Sequence, residues 1–220
     1  MTASLERVFL VDDDPGVLKA LSRLLRSAGY DPETFTSATD FITRYHPETR
    51  GCLVVDFCMP DVSGLELQNW LSQSNSPLPV IFLSGRGDVS ASVKAMKQGA
   101  VDFLTKPVDE TALLQTVQGA LRRDAELRDA RAEHAVSVAR LHSLTPRERE
   151  VMAGVVAGKL NKQIAAELGT VEKTVKVHRA RVMDKMGVNS VAELVRVAER
   201  LGLSAWPRLK PGGADSRLLA

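Results

Sequence analysis

Across residues 1–121, short runs of apolar, mostly β-branched residues alternate with stretches whose apolar positions recur at helical spacing. No other feature restricts the fold as much. The runs are VFLV (8–11), TFT (34–36), CLVVDF (52–57), VIFLS (80–84) and VDFLT (101–105), the second being the shortest and most polar. Their lack of polar–apolar alternation suits strands covered on both faces of a parallel sheet. The first intervening stretch places Val17, Leu18, Leu21, Leu24, Leu25 and Ala28 on one stripe before Gly29. Shorter helical patterns follow at 38–45, 64–72, 89–98 and 109–121. Five successive β–α units predict an α/β fold, a doubly wound, parallel, five-stranded sheet of the flavodoxin-like kind.

The pattern then changes. Residues 122–140, RRDAELRDARAEHAVSVAR, hold no Gly or Pro and predict a helical linker continuing from 109–121. Asp124 with Arg128, and Arg122 with Glu126, stand at i,i+4. A short coiled coil is the alternative, but its apolar seam (Leu121, Leu127, Ala130 and Val136) breaks heptad spacing. Beyond residue 143 only helices are expected. Thr145-Pro146-Arg147-Glu148 is a capping box with proline at the first helical position, opening a helix that stops at Gly158. A second helix runs from about Lys162 to Leu168, a third is capped by Thr170 and runs to about Met186, and Ser190 opens a fourth that ends near Gly202. The chain thus divides into an α/β domain (1–121), a helical linker (122–143), an all-α four-helix domain (144–204) and a poorly ordered Pro- and Gly-rich tail (205–220).

Charge follows the same division. Residues 1–121 carry 10 Lys and Arg against 15 Asp and Glu, whereas residues 141–205 carry 11 against 7. An acidic half joined to a basic half points to two tasks, the second with a polyanion. Cys52 and Cys58 are too few for a disulfide framework and lack metal-site spacing. Neither a signal-peptide core nor a membrane-length apolar stretch is present, so a soluble, cytoplasmic protein with no membrane partner is expected.

In a doubly wound sheet, ligands bind beyond the carboxyl ends of the strands. Asp12, Asp13 and Asp14 follow the first strand, Asp56 ends the third, Ser84 and Gly85 end the fourth, and Lys106 and Pro107 follow the fifth. Each residue has a bland reading alone: a helix cap, a turn former, a solvated lysine. Their convergence on one sheet edge favours phosphoryl-transfer chemistry. Carboxylates with a carbonyl make an oxygen-only site suited to Mg²⁺, or Mn²⁺. The Asp56 carboxylate is placed to attack phosphorus, Lys106 to offset charge on the transferred oxygens, and Ser84 to donate a hydrogen bond to one of them.

The motifs V-D-D-D (11–14), V-D-F-C-M-P-D-V-S-G-L (55–65), L-S-G (83–85) and F-L-T-K-P (103–107) make residues 5–121 resemble a response-regulator receiver domain of CheY-like fold. The resemblance implies that Asp56 accepts a phosphoryl group from a sensor histidine kinase. Asp13 and Asp56 with the carbonyl of Cys58 would hold Mg²⁺, Asp12 acting partly through water. Lys106 would pair with the phosphoryl group, and its peptide bond to Pro107 would be cis. Ser84 and Phe103 would form the switch, the hydroxyl moving inward and the ring turning into the vacated space. Phosphorylation would promote a homodimer through the face spanning roughly 89–98 and 101–119.

The stretch 162–186 has the two-helix spacing of a helix-turn-helix. Its second helix offers Val175, Val182 and Met186 to the core and carries Lys173, Lys176, Arg179, Arg181 and Lys185 against Glu172 and Asp184, a balance suited to phosphates and purine edges. L-T-P-R-E-R-E-V (144–151), N-K-Q-I-A-A-E-L (161–168) and T-V-K-V-H-R (174–179) resemble the LuxR-type DNA-binding domain of FixJ/NarL regulators. That likeness implies base-facing Lys176 and Val177, base or phosphate contact from Thr174, His178 and Arg179, support from Lys173 and Arg181, and backbone contact from Asn161 and Lys162. His178 lacks the flanking ligands that zinc would need.

Together these readings predict a two-component response regulator whose partners are a histidine kinase, double-stranded promoter DNA and RNA polymerase. It would act as an activator and be no enzyme beyond its own phosphoryl transfer and slow autodephosphorylation. Two rivals are a haloacid-dehalogenase-type phosphatase and a DNA-binding factor that needs no phosphorylation. Asp12 and Asp14 have the spacing the first needs, but nothing like its cap domain follows and Lys106-Pro107 fits a receiver better; the complete acidic pocket argues against the second. A nucleotide-binding Rossmann domain is excluded because no glycine-rich turn follows strand one.

Overall fold

The computed structural model describes residues 6–74, 76–85 and 89–203; the tail expected at 205–220 lies outside them. The elements run β1 (Arg7–Val11), α1 (Pro15–Ser27), β2 (Asp31–Phe35), α2 (Ala38–Arg44), β3 (Cys52–Asp56), α3 (Gly64–Gln73), β4 (Val80–Ser84), α4 (Val89–Lys97), β5 (Asp102–Thr105), α5 (Glu110–His142), α6 (Pro146–Val156), α7 (Asn161–Glu167), α8 (Glu172–Met186) and α9 (Val191–Arg200). They fall into two compact units, Met1–Asp129 and Ala130–Ala220.

In the first unit the five strands pair in parallel in the order β2-β1-β3-β4-β5. Because strand side chains alternate, Phe9, Val11, Leu53, Val55 and Phe82 enter one core with α2 and α3, while Val8, Leu10, Val54, Ile81 and Leu83 enter another with α1 and α5. Both faces are covered, so the central runs read as continuously apolar. The second strand is Asp31–Phe35, not 34–36. As an edge strand it buries only Pro32 and Phe35, and an edge tolerates the missing N–H of Pro32. Five aromatic rings, of Phe9, Phe35, Phe41, Tyr45 and Trp70, pack in sequence along one face, with centroids 5.1–6.3 Å apart.

The helix expected at 109–121 and the linker expected at 122–140 form one element, α5. Its buried Asp124 accepts hydrogen bonds from the Arg128 guanidinium (2.8 and 2.9 Å) and from the backbone N–H of Gly51 (3.1 Å). Arg128 also donates to the carbonyls of Pro47, Glu48 and Thr49, so residues 122–128 are fastened to the loop before β3. Arg122 donates to the Gln118 carbonyl, away from its expected pairing with Glu126.

In the second unit α6–α9 close around Val151, Met152, Ile164, Val175, Val182, Met186 and Leu194, with Leu141 and Leu144 packed among them. The capping box of α6 forms as expected between Thr145 and Glu148, and Ser190 caps α9. Thr170 does not cap α8. Its N–H donates to the Ala165 carbonyl, so the helix starts later, with Val171 at the cap and no side-chain cap bond.

Candidate functional site

The strand order reverses between β1 and β3, and in such sheets a crevice opens at that point. Asp12 follows β1 and Asp56 ends β3. Both are buried, and the Lys106 ammonium lies 2.6 Å from Asp12 Oδ2 and 2.8 Å from Asp56 Oδ1. Asp12 Oδ1 accepts the Asp14 N–H at 3.0 Å, and Asp14 caps α1 by accepting the Gly16 N–H. Hence the three neighbouring aspartates divide their work: Asp12 faces the crevice, Asp14 caps a helix and Asp13 stays exposed beside them. The Lys106 backbone N–H donates to the Ser84 carbonyl at 2.7 Å, which ties the ends of β4 and β5 together. The Lys106–Pro107 bond is cis, as expected.

Burial pushes the Asp56 carboxyl above the usual carboxylate range. Asp12 and Asp13 push the same way, against the opposing pull of Lys106. Burial pulls Lys106 down, but its hydrogen bonds to Asp12 and Asp56 outweigh this and hold its ammonium above the ordinary value. A cavity of about 450 Å³ lined by Asp56, Cys58, Gly85 and Lys106 opens beside the pair. Ser84 is buried. Phe103 is half-buried, its ring centroid 5.6 Å from Phe57 and 6.1 Å from Phe82. Cys58 is exposed, unlike Cys52, whose thiol burial pushes up. Among the described residues no three acidic, His or Cys side chains cluster as a ready-made metal site. The oxygen-only donors nonetheless fit a hard cation, because two buried carboxylates, Asp12 and Asp56, face a single ammonium, with the exposed Asp13 beside them.

In the second unit, Lys173, Lys176, Val177 and Ala180 recur at i, i+3, i+4 and i+7, so they share one stripe of α8, and all four are exposed. The buried Val175, Val182 and Met186 lie on the opposite side. Arg181 is exposed, and Lys176 has Glu172 as a neighbour at 3.6 Å. Thr174, His178 and Arg179 are half-buried. Arg179 donates to Asn161 Oδ1 at 3.1 Å, linking α8 to the start of α7, where Lys162 is exposed. His178 Nδ1 is buried, with no hydrogen-bond partner among the described residues. Lys185 differs from the other cations of α8, since it donates to Glu148 Oε2 at 2.6 Å and to the Ser143 carbonyl at 3.2 Å.

Some supporting residues escape a reading of the sequence. A Cβ on Gly64 would sit 2.5 Å from the Asp56 carbonyl oxygen and 3.0 Å from the Phe82 ring, so this glycine lets α3 approach the end of β3. Its place in the 55–65 motif was the available signal. Asp124 and Glu148 look like surface acids on polar helices, and only the structure shows them buried. For Glu148 the capping box gave half the answer.

The family of response regulator receiver domains matches residues 8–118, and the luxR family of bacterial regulatory proteins matches residues 142–198. Nodulation protein W of Bradyrhizobium diazoefficiens is 43% identical over 90% of this chain and 87% of its own length. Response regulator protein TodT of Pseudomonas putida is 44% identical over 88% and 86% respectively. Among solved structures, the response regulator StyR superposes with a TM-score of 0.81 at 45% identity, covering 90% of this chain and all of its own.

Proposed function

Since the chain belongs to the response regulators that couple a receiver domain to a LuxR-type DNA-binding domain, we propose that phosphorylation of Asp56 switches its binding to promoter DNA. The observation that carries this reading is the bridge of one ammonium across Asp12 and Asp56 at the crevice of the sheet. An Asp56 oxygen attacks the phosphorus of a phosphohistidine on a sensor kinase. The new P–O bond forms as the P–N bond breaks, and the departing imidazole takes a proton from solvent. Lys106, already 2.8 Å from Asp56, offsets charge on the transferred oxygens, and Ser84 supplies a hydroxyl to one of them.

Receiver domains generally bind Mg²⁺ at their acidic site. Here Asp12, Asp13, Asp56 and the carbonyl of Cys58 would hold it, and when bound it supplies positive charge to the phosphoryl oxygens. Mn²⁺ suits the same oxygen donors. Once Ser84 engages the phosphoryl group, Phe103 turns toward the space beside it. This change repacks the exposed Val93 and Met96 of α4, the face we assign to a phosphorylation-promoted homodimer.

In the DNA-binding half, Lys176 and Val177 read base edges and Lys173 and Arg181 meet phosphates. Thr174, His178 and Arg179 flank them, and Asn161 with Lys162 touch the backbone at the start of α7. Bound at a promoter, the dimer activates transcription through RNA polymerase. Among the described residues no helix is long and apolar enough to cross a membrane.

The test is intact mass after incubation with Mg²⁺ and a phosphohistidine kinase or acetyl phosphate, followed by binding to duplex DNA. Wild type gains one phosphoryl group and binds more tightly, while Asp56→Asn does neither. Equal DNA binding by both proteins, with and without the donor, would establish a regulator that needs no phosphorylation.

A further inference from the structure

The residues that match the luxR family begin at 142, yet the end of α8 is held by a side chain that precedes them. Arg140 Nη1 donates to the Met186 carbonyl at 3.0 Å, at the last residue of α8. A helix leaves its last carbonyls without intrahelical partners and carries partial negative charge there, so a guanidinium is a favourable end group. Gly187 closes the helix at φ +64°, and a Cβ on it would overlap the Arg140 guanidinium, lying 2.7 Å from Cζ. One glycine therefore serves both the left-handed turn and the approach of Arg140.

The same stretch makes further contacts. Ser143 offers its carbonyl to Lys185 of α8, Leu141 is buried in the core of the second unit, and Glu133 pairs with Arg200 of α9 at 2.7 Å. Both ends of that last pair are exposed, so it contributes little. Arg140 is exposed as well, but it differs in acting on the backbone of the helix that carries Lys176 and Val177.

We infer that Arg140 is a positioning residue for DNA recognition, setting the seat of α8 from its C-terminal end without touching DNA. The inference rests on the reading of α8 as the helix that enters the major groove. Base-edge contacts need the helix placed to a fraction of an ångström, whereas attraction to phosphates tolerates small displacements. Loss of Arg140 thus degrades sequence discrimination more than general affinity.

The test uses the full chain and two probes of equal length, a duplex selected by wild type from a randomised pool and a random-sequence duplex. Arg140→Ala is expected to weaken the selected duplex by about tenfold, the scale of a lost helix-end interaction. The random duplex should change less than about twofold, with the salt slope unaltered. Arg140→Lys restores most of the discrimination. A double-mutant cycle covers the case in which the alanine variant is destabilised. Gly187→Ala and Arg140→Ala should be markedly non-additive, because removing the guanidinium relieves the overlap. Equal weakening of both duplexes with a salt slope smaller by about one would make Arg140 a phosphate contact and overturn the inference. So would unchanged discrimination, or additivity in the cycle. Failure of wild type to select any duplex would instead overturn the reading of α8, and this inference with it.

Discussion

Lys106 Nζ lies 2.8 Å from Asp56 Oδ1, and the same ammonium reaches Asp12 at 2.6 Å. The two carboxylates come from neighbouring strands whose side chains would otherwise repel across a buried crevice. Removing one prearranged cationic donor from a site of developing charge costs about 10²–10³ in rate. We expect Lys106→Met to slow phosphorylation of Asp56 by that order under matched Mg²⁺ and phosphodonor, read by intact mass over time. A rate within threefold of wild type would contradict the role given to Lys106.

The raised Asp56 has a consequence for stability. A carboxyl whose folded pKa lies above its unfolded value, 3.8, favours folding below that value, and the contribution is lost as pH rises through the folded pKa. At pH 7 the ionised group therefore strains the receiver, and Asp56→Asn should raise its melting temperature slightly. The gain should shrink as pH falls below 3.8, where the carboxyl becomes protonated in both the folded and the unfolded chain. Thermal melts of both proteins at pH 7 and below pH 3.8 decide this, and a lower melting temperature for the variant at pH 7 counts against it.

Glu148 behaves oppositely. The hydrogen bond from Lys185, with that from the Thr145 backbone, holds its carboxyl down at about 2, against 4.5 for a free glutamate. Its contribution to stability is complete above pH 4.5 and is lost as pH falls toward 2. A charge-assisted hydrogen bond of this kind is worth about 2 kcal/mol. Glu148→Gln should destabilise the DNA-binding unit by that order at pH 7 and by much less near pH 2, measured by urea unfolding followed through helix content.

Gly64 leaves no room for a side chain against the Asp56 carbonyl. Gly64→Ala must shift α3 or bend β3, and overpacking of this kind costs roughly 1–3 kcal/mol. We expect lower receiver stability together with slower phosphorylation. An alanine variant that matches wild type in both would show that α3 can move freely.

Breaking a buried ion pair from one side strands the other charge, at about 3–5 kcal/mol. Asp124→Ala would leave the Arg128 guanidinium and the Gly51 N–H without their shared acceptor. The first unit should unfold at markedly lower urea concentration, while Asp124→Asn, which keeps one acceptor oxygen, should lose less.

Local pattern decided much of this protein. Parallel strands covered on both faces must be apolar throughout, so β1, β3 and β4 were legible; the edge strand β5 was marked by its short VDFLT run, and the order of carboxylates, hydroxyl and lysine at the strand ends could be read as well. The capping box of α6, the serine cap of α9 and the glycines beyond both helices likewise announced them, because such signals are governed by residues three or four apart. The edge strand β2 was blurred by its half-polar burial, and the start of α8 by a threonine whose N–H is taken up by the preceding turn.

What the sequence alone could not decide was which of many similar polar residues would find distant partners, Asp124 and Glu148 in buried positions and Arg140 in an exposed one. Asp124, Glu148 and Arg140 are ordinary members of charged helices, and their partners Gly51, Lys185 and Met186 stand 73, 37 and 46 residues away. Lys185 looks like Lys173 or Lys176 on the same helix, yet only it turns to an acid of the core. Helical periodicity reports which residues share a face, and tertiary packing determines what that face meets. The burial that makes a long-range ion pair strong is a property of the assembled elements, so only the fold could separate the structural charges from those left exposed.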